Sequence, residues 1–230
     1  PATPGKYVRN GVTPLPPAGS GGTDPVLRTP LKTNPPAPAP VAEPKPFKII
    51  PAAPPMYARY LYQSPRKPAA GDRVAASYAF SKARIFEQSS RWTDAMEWYR
   101  RAAAADPGWF EAHYNYGVLA YRLRSYPAAL SAYETALAIQ PDSADTRYYF
   151  ALALKASSYP QDAVDELKKI LAASPGKSDE VRARLALGNL YANEFHNPAE
   201  ARRYYVKVLE LDPRNPQATD IRFWLTQNPP

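Results

Sequence analysis

The chain has no cysteine, only two histidines and only ten glycines among its 230 residues. Without cysteine there is no disulfide, no thiol nucleophile, no thiolate metal centre and no lipid attached through sulfur, although the absence fits any redox compartment. His113 and His196 lie far apart, and two such residues supply neither the ligand set of a zinc site nor a base beside a nucleophile. No apolar run approaches the roughly 18 residues that a spanning helix needs, so any membrane contact expected of this stretch is peripheral. Carboxylates and serines are scattered over faces expected to meet solvent, with no pair placed as acid and base. The chain reads as non-enzymatic, without cofactor or metal.

Proline is abundant and unevenly placed. Eighteen of the 28 prolines precede residue 69, and most of the others fall at regular intervals further on. The charge divides at the same place. Residues 1–70 carry nine Lys or Arg against Asp24 and Glu43, whereas the remainder has twenty basic and nineteen acidic residues. The first 70 residues therefore carry +7 of the net charge of +8, and the remainder is close to neutral. Proline at that density forbids helix interiors and sheet ladders and leaves an extended arm, which at about 3.1 Å per residue reaches on the order of 200 Å. Two places in it concentrate apolar side chains: Phe47-Lys48-Ile49-Ile50 and Met56-Tyr57-Ala58-Arg59-Tyr60-Leu61-Tyr62. In a helix Tyr57, Tyr60 and Leu61 would share a face. Phe47, Ile49, Ile50, Tyr57, Tyr60 and Leu61 are the arm residues expected to anchor a partner. PxxP spacings such as Pro14 to Pro17 add a second mode of docking, though they arise readily in such a composition.

From Asp72, placed as an N-cap, the pattern turns helical. The expected pairs are 73–88 with 92–105, 108–122 with 126–139, 142–156 with 160–173, and 179–193 with 197–211. A final helix at 216–227 would cover repeat four with Ile221, Phe223, Trp224 and Leu225. The pairs repeat at a fixed period. Gly117, Ala129, Tyr133, Ala136 and Pro141 have counterparts 34 residues earlier in Ala83, Ala95, Tyr99, Ala102 and Pro107, and 34 later in Ala151, Ala163, Leu167, Ile170 and Pro175. A fourth copy, Gly188, Ala201, Tyr205, Val208 and Pro213, is offset by 37 and 38 residues in its two helices. It thus carries about three extra residues before it and one in its own turn. Small residues suit close approach of two antiparallel helices, the aromatics supply area for the next hairpin, and each proline ends a helix.

This pattern resembles the tetratricopeptide repeat. The resemblance implies an all-α, right-handed solenoid with repeats near 76–109, 110–143, 144–177 and 181–215, a cap at 216–227, and an extended arm over 1–70. It also implies a concave groove lined by the first helix of each repeat. The groove residues are then Phe80 and Arg84; Tyr114, Asn115, Val118, Tyr121 and Arg122; Tyr148, Tyr149, Leu152 and Lys155; and Arg182, Leu185 and Asn189. Exposed Tyr with Asn, Arg and Lys suits peptide recognition. Members that bind chaperone tails carry Lys and Asn where this chain has Phe80 and Ser81, which speaks against an acidic chaperone tail here.

The expected function is that of an interaction scaffold or adaptor whose partners are other proteins, the groove holding a peptide or subunit segment and the arm tethering a second partner. Alternatives are an accessory subunit of a large, membrane-associated complex with the arm over its neighbours, an arm that occupies the groove, and an RNA-binding helical repeat. The near-neutral body and dispersed basic residues argue against nucleic acid. Pro175-Gly176-Lys177-Ser178 resembles the end of a phosphate-binding loop, but Leu171 stands where its first glycine belongs and a helix precedes it instead of a strand. The chain begins with Pro1 and not Met, from which a removed upstream segment is expected, whether a signal peptide, a transit peptide, a membrane anchor or simply more of the chain, with a weak lean towards the cell envelope or an organelle.

Overall fold

The computed structural model describes residues 57–230. Among them the regular structure is helical throughout: α1 Arg73–Gln88, α2 Trp92–Ala105, α3 Phe110–Arg122, α4 Tyr126–Ile139, α5 Ala144–Ala156, α6 Pro160–Ala172, α7 Lys177–Asn193, α8 Pro198–Leu211 and α9 Ala218–Gln227. Consecutive helices pack in antiparallel pairs, and each pair packs on the next through its second helix. First helices also meet one another, α3 with α5 and α5 with α7, which places them on the inner side of the stack. The fold is an all-α solenoid of helical repeats, and the described helices begin and end within two residues of the expected bounds.

The turns inside repeats one to three share one geometry. Ser90, Arg124 and Ser158 adopt left-handed φ values of 56°, 59° and 66°. Each donates its N–H three residues back, to the carbonyls of Glu87, Tyr121 and Lys155, and the residue after it donates five back, to Phe86, Ala120 and Leu154. This pairing closes the open carbonyls at the end of a helix. Repeat four has one more residue in that turn, with His196 at φ 47° and the Asn197 side chain accepting from Glu200 N–H to cap α8. The residues inserted before this repeat extend a helix: α7 has 17 residues where α3 and α5 have 13, and α6 has 13 where α4 has 14, which leaves the net three.

The small residues are explained by rings lying against them. A Cβ on Gly117 would stand 2.7 Å from the Tyr133 ring, and one on Gly188 2.5 Å from the Tyr205 ring. The core follows the stack: Tyr99, Leu119, Tyr133, Phe150, Leu154, Leu167 and Leu187 are fully buried, each large apolar side chain contributing about 1.5–3 kcal/mol of burial. At the C-terminal end Ile221 is buried and Trp224 meets the Tyr205 ring edge-on at 5.0 Å. Phe223, expected to join them, is 67% exposed. Two residues from Ile221 on a helix is a rotation of about 200°, which turns Phe223 away from the array.

Candidate functional site

The inner face is built on α3 and α5. Tyr114 and Tyr121 lie seven residues apart on α3, and Tyr148 and Tyr149 stand on α5 opposite them. Tyr149 meets Tyr114 at 6.2 Å and Tyr148 at 5.6 Å between ring centroids, both edge-on, and Tyr121 lies 5.9 Å from Tyr126. Arg182 comes from α7 to stand 4.8 Å above the Tyr148 ring, held by Asp145 at 2.5 Å and Asp179 at 2.6 Å. Burial raises the pKa of Tyr114, Tyr121, Tyr148 and Tyr149, so these phenols stay protonated and able to donate at neutral pH.

Other expected groove residues have work inside the fold. Val118 is 6% exposed and belongs to the main core; it follows Gly117 at the contact between helices and is corrected here from groove to core. Asn189 accepts from the Tyr205 hydroxyl at 2.7 Å, and Asn115 donates to Glu111 of its own helix at 2.7 Å. Phe80 stacks on Trp109 at 4.7 Å and meets Tyr99 edge-on at 5.0 Å. Arg122 lies 3.5 Å over Trp92, Lys155 pairs with Glu194 at 3.4 Å, and Leu185 packs with the C-terminal cluster. Leu152 is half-buried, and Arg84 is exposed. His113 is held by the Pro107 carbonyl 2.9 Å from Nε2, a structural role. Pro175 to Ser178 forms the turn into α7.

A second surface lies on the outer side. Residues 57–71 are not helical. They run from repeat four back to repeat one, turning at Ser64 (φ 45°), laid over the seam between the second helices. Tyr57 donates to the Glu194 carbonyl and meets Phe195 edge-on at 5.2 Å. Arg59 reaches Asp162 at 3.0 Å and Asp165 at 2.8 Å. Tyr60 N–H donates to Asp162 at 2.9 Å, and the N–H groups of Gln63 and Ser64 donate to Glu134 at 2.9 and 3.2 Å. The Tyr62 hydroxyl donates to Glu166 at 3.2 Å, and this carboxylate is also held by Arg147 and Lys169, each at 2.7 Å. Both rings enter the seam, Tyr60 at 5.4 Å from Tyr159 and Tyr62 at 6.0 Å from Phe150.

The strap ends on a carboxylate as well. Asp106 accepts from Gly71 N–H at 2.8 Å and Gly108 N–H at 3.2 Å, and pairs with Arg73 at 2.5 Å. The Gly71 amide in particular, with Arg73, holds this carboxyl below its ordinary pKa against the opposing effect of burial. A Cβ on Gly71 would fall 2.3 Å from the Ala105 carbonyl oxygen, so only glycine fits the bend. Burial pushes the Glu134 carboxyl up, against the bonds it accepts from the strap.

Two readings of the sequence change here. Leu61 does not share a face with Tyr57 and Tyr60: it is 88% exposed, because side chains alternate along extended backbone, sending Tyr60 and Tyr62 inward and Leu61 out. Nor are all the carboxylates on solvent faces, since Asp106, Glu134, Asp162 and Glu166 are buried. Their signal was a charge adjoining the core pattern of a second helix, as in Tyr133-Glu134, Asp162-Ala163 and Glu166-Leu167. Phe47, Ile49 and Ile50 lie outside the described residues.

The sequence matches the tetratricopeptide repeat family over residues 66–108 and again over 110–143. A stretch of 107 residues is 28% identical to the protein O-mannosyl-transferase Tmtc3 of Drosophila melanogaster, covering 46% of this chain and 11% of that protein. The chain thus spans about a ninth of that relative's length. Among solved structures the fold is similar to MamA of Desulfovibrio magneticus RS-1, at TM-score 0.58 and 19% identity, over 69% of this chain and 87% of that one. It is also similar to YrrB, described as having an unusual peptide-binding site, at TM-score 0.58 and 18% identity, over 66% and 76%. PilF of Pseudomonas aeruginosa aligns at TM-score 0.57 and 20% identity, over 67% and 69%. At these identities the structural likenesses speak for the fold alone.

Proposed function

This chain is a tetratricopeptide repeat protein, and we propose that it is a non-enzymatic adaptor whose inner face holds an extended peptide of another protein. The observation that carries this reading is the cluster of Tyr114, Tyr148 and Tyr149 with Arg182 above it. Rigid aromatic area beside polar groups is what gives a peptide groove both contact surface and orientation. The strap supports the second half of the proposal, in which residues before Tyr57 tether a different partner. Bonded along the outer seam, it leaves the inner face to the first partner. The transferase activity in the name of the Drosophila relative belongs to a protein of which the match covers 11%, and it is not extended to this chain.

Selection of a random 12-residue peptide display library on the full chain tests the inner face. Selected peptides are expected to lose at least about tenfold in affinity when Tyr114, Tyr148 and Tyr149 are changed together to Ala. Peptides that bind the triple variant unchanged would place recognition elsewhere.

A further inference from the structure

Three repeats carry a tyrosine at the same core position of the second helix, and two of the three hydroxyls are satisfied from the first helix. Tyr99 donates to Glu87 at 2.8 Å, and Tyr205 donates to Asn189 at 2.7 Å. By the repeat offsets, the residues of repeat two at the positions of Glu87 and Asn189 are Tyr121 and Val118. Neither serves as an acceptor, and the hydroxyl of Tyr133 has no hydrogen-bond partner among the described residues although Tyr133 is 0% exposed. Repeat three has Leu167 there and needs none. A buried phenol without an acceptor costs about 1–3 kcal/mol, and apolar Leu167 shows that the stack accepts a side chain without a hydroxyl.

The position of this hydroxyl points to a ligand. The Tyr149 ring, which lines the inner face, stacks on the Tyr133 ring at 6.5 Å and 17°, and Tyr114 meets Tyr149 edge-on at 6.2 Å. Four phenols, Tyr114, Tyr133, Tyr148 and Tyr149, therefore converge between repeats two and three, while the neighbouring Asp145 carboxylate is engaged by Arg182. Phenol oxygens accept as well as donate, so what is missing here is an acceptor within reach of the one buried Tyr133 O–H. An ordinary extended peptide brings an N–H for every carbonyl, whereas a proline-rich segment brings carbonyls with few N–H groups, in a preformed polyproline helix that packs on flat aromatic rings.

We propose that the groove between repeats two and three takes a proline-rich segment in polyproline II conformation, and that the Tyr133 hydroxyl donates to one of its backbone carbonyls. The proposal rests on the inner face being the peptide site. The ring of Tyr149 tilts to admit the carbonyl, and the ligand supplies the acceptor that Glu87 and Asn189 supply within repeats one and four.

The test uses the full chain and a proline decamer, with a Gly-Ser decamer of equal length as control. Wild type is expected to bind the proline decamer at least about tenfold more tightly than the control, and Tyr133→Phe to lose about five- to tenfold while melting no lower than wild type. Unchanged affinity in Tyr133→Phe overturns the role of the hydroxyl and leaves the groove standing. A melting temperature lowered as much as in Tyr99→Phe also overturns it, since the hydroxyl would then be bonded within the fold. Equal binding of the two decamers overturns the proline-rich ligand. Tight decamer binding retained by the Tyr114, Tyr148 and Tyr149 triple variant overturns the inner face itself as the site.

Discussion

On the outer seam, Glu134, Asp162 and Glu166 turn acceptors towards an extended segment and receive its amides, an arginine and a tyrosine hydroxyl. On the inner face of the same hairpins, Tyr114, Tyr121, Tyr148 and Tyr149 gather as phenols, with the Tyr149 ring stacked on buried Tyr133. One face is filled by the chain's own residues 57–71, and its chemistry can be read from that occupant. The other carries phenols, and beside them two buried donors have no partner among the described residues, the Tyr133 hydroxyl and Arg182 Nε. The difference teaches that the outer side is fitted to the N–H groups and cation of an extended segment, while the inner side is fitted to a peptide only on the reading proposed above.

The comparison breaks most directly at the seam. Changing Glu134 and Asp162 together to Ala removes the acceptors of three strap amides and the partner of Arg59, and is expected to cost about 2–4 kcal/mol. It should also release the strap, so that trypsin cuts after Arg59 faster than in wild type. Urea denaturation and a timed digest measure the two effects. Unchanged digestion would mean that aromatic packing alone holds the strap. Glu134→Gln, which keeps an acceptor of the same shape, is expected to retain most of the stability.

Acid should separate the two kinds of strap carboxylate. Asp106 has a lowered pKa in the fold, so its contribution is present above the unfolded value near pH 4 and is lost as pH falls through the lower folded value. The stability difference between wild type and Asp106→Asn should therefore shrink below about pH 4. Glu134 is raised, and the sign reverses. Its contribution is full below its unfolded value near pH 4 and declines as pH rises through the folded one, so wild type should gain on Glu134→Gln as pH falls from 7 to 4. Urea midpoints of the three proteins at four or five pH values decide it. Parallel curves would show that neither carboxylate is coupled to folding through its proton.

How much of this was legible in the sequence depends on how far apart the interacting residues lie. The helix pairs were legible because Gly117 and Tyr133, or Gly188 and Tyr205, sit in one hairpin and recur at a fixed period. The strap was not, because Gln63 and Glu134 lie 71 residues apart, and Tyr60 and Asp162 102 apart. Nothing local marks an extended segment whose amides are satisfied by distant carboxylates, and the spacing of Tyr57, Tyr60 and Leu61 suggested a helix as readily. On the inner face, spacing placed Tyr114, Tyr148 and Tyr149 side by side. It did not reveal that Asn189 and Val118 are consumed by packing, which depends on where the second-helix ring at the contact directs its hydroxyl.

The core tyrosines sharpen the inner face with a smaller effect. Tyr99→Phe leaves the Glu87 carboxylate without its donor and Tyr205→Phe does the same to Asn189, so each is expected to cost about 1 kcal/mol. Tyr133→Phe removes a hydroxyl that has no partner and should leave stability unchanged or raise it. Thermal melts of the three single variants rank them, and a Tyr133→Phe loss equal to the other two would erase the distinction between repeat two and its neighbours.

The smallest expected effect concerns Leu61. A leucine between two half-buried tyrosines would rank among the anchors of the strap by composition, yet it is 88% exposed, and its removal from water is not part of this fold. Leu61→Ser should change stability by less than about 0.5 kcal/mol. Tyr60→Ser, one residue away, removes a ring packed against Tyr159, Tyr62 and Phe150 and should cost about 2–4 kcal/mol. The contrast follows from the two-residue alternation of extended backbone, and a helical strap would not produce it, since neighbours at 57, 60 and 61 would then fall together. Comparable losses from both variants would mean that residues 57–62 hold a different conformation in solution. A silent Leu61→Ser in stability that nonetheless weakens capture of a partner would identify this outward leucine as surface that the strap presents to others.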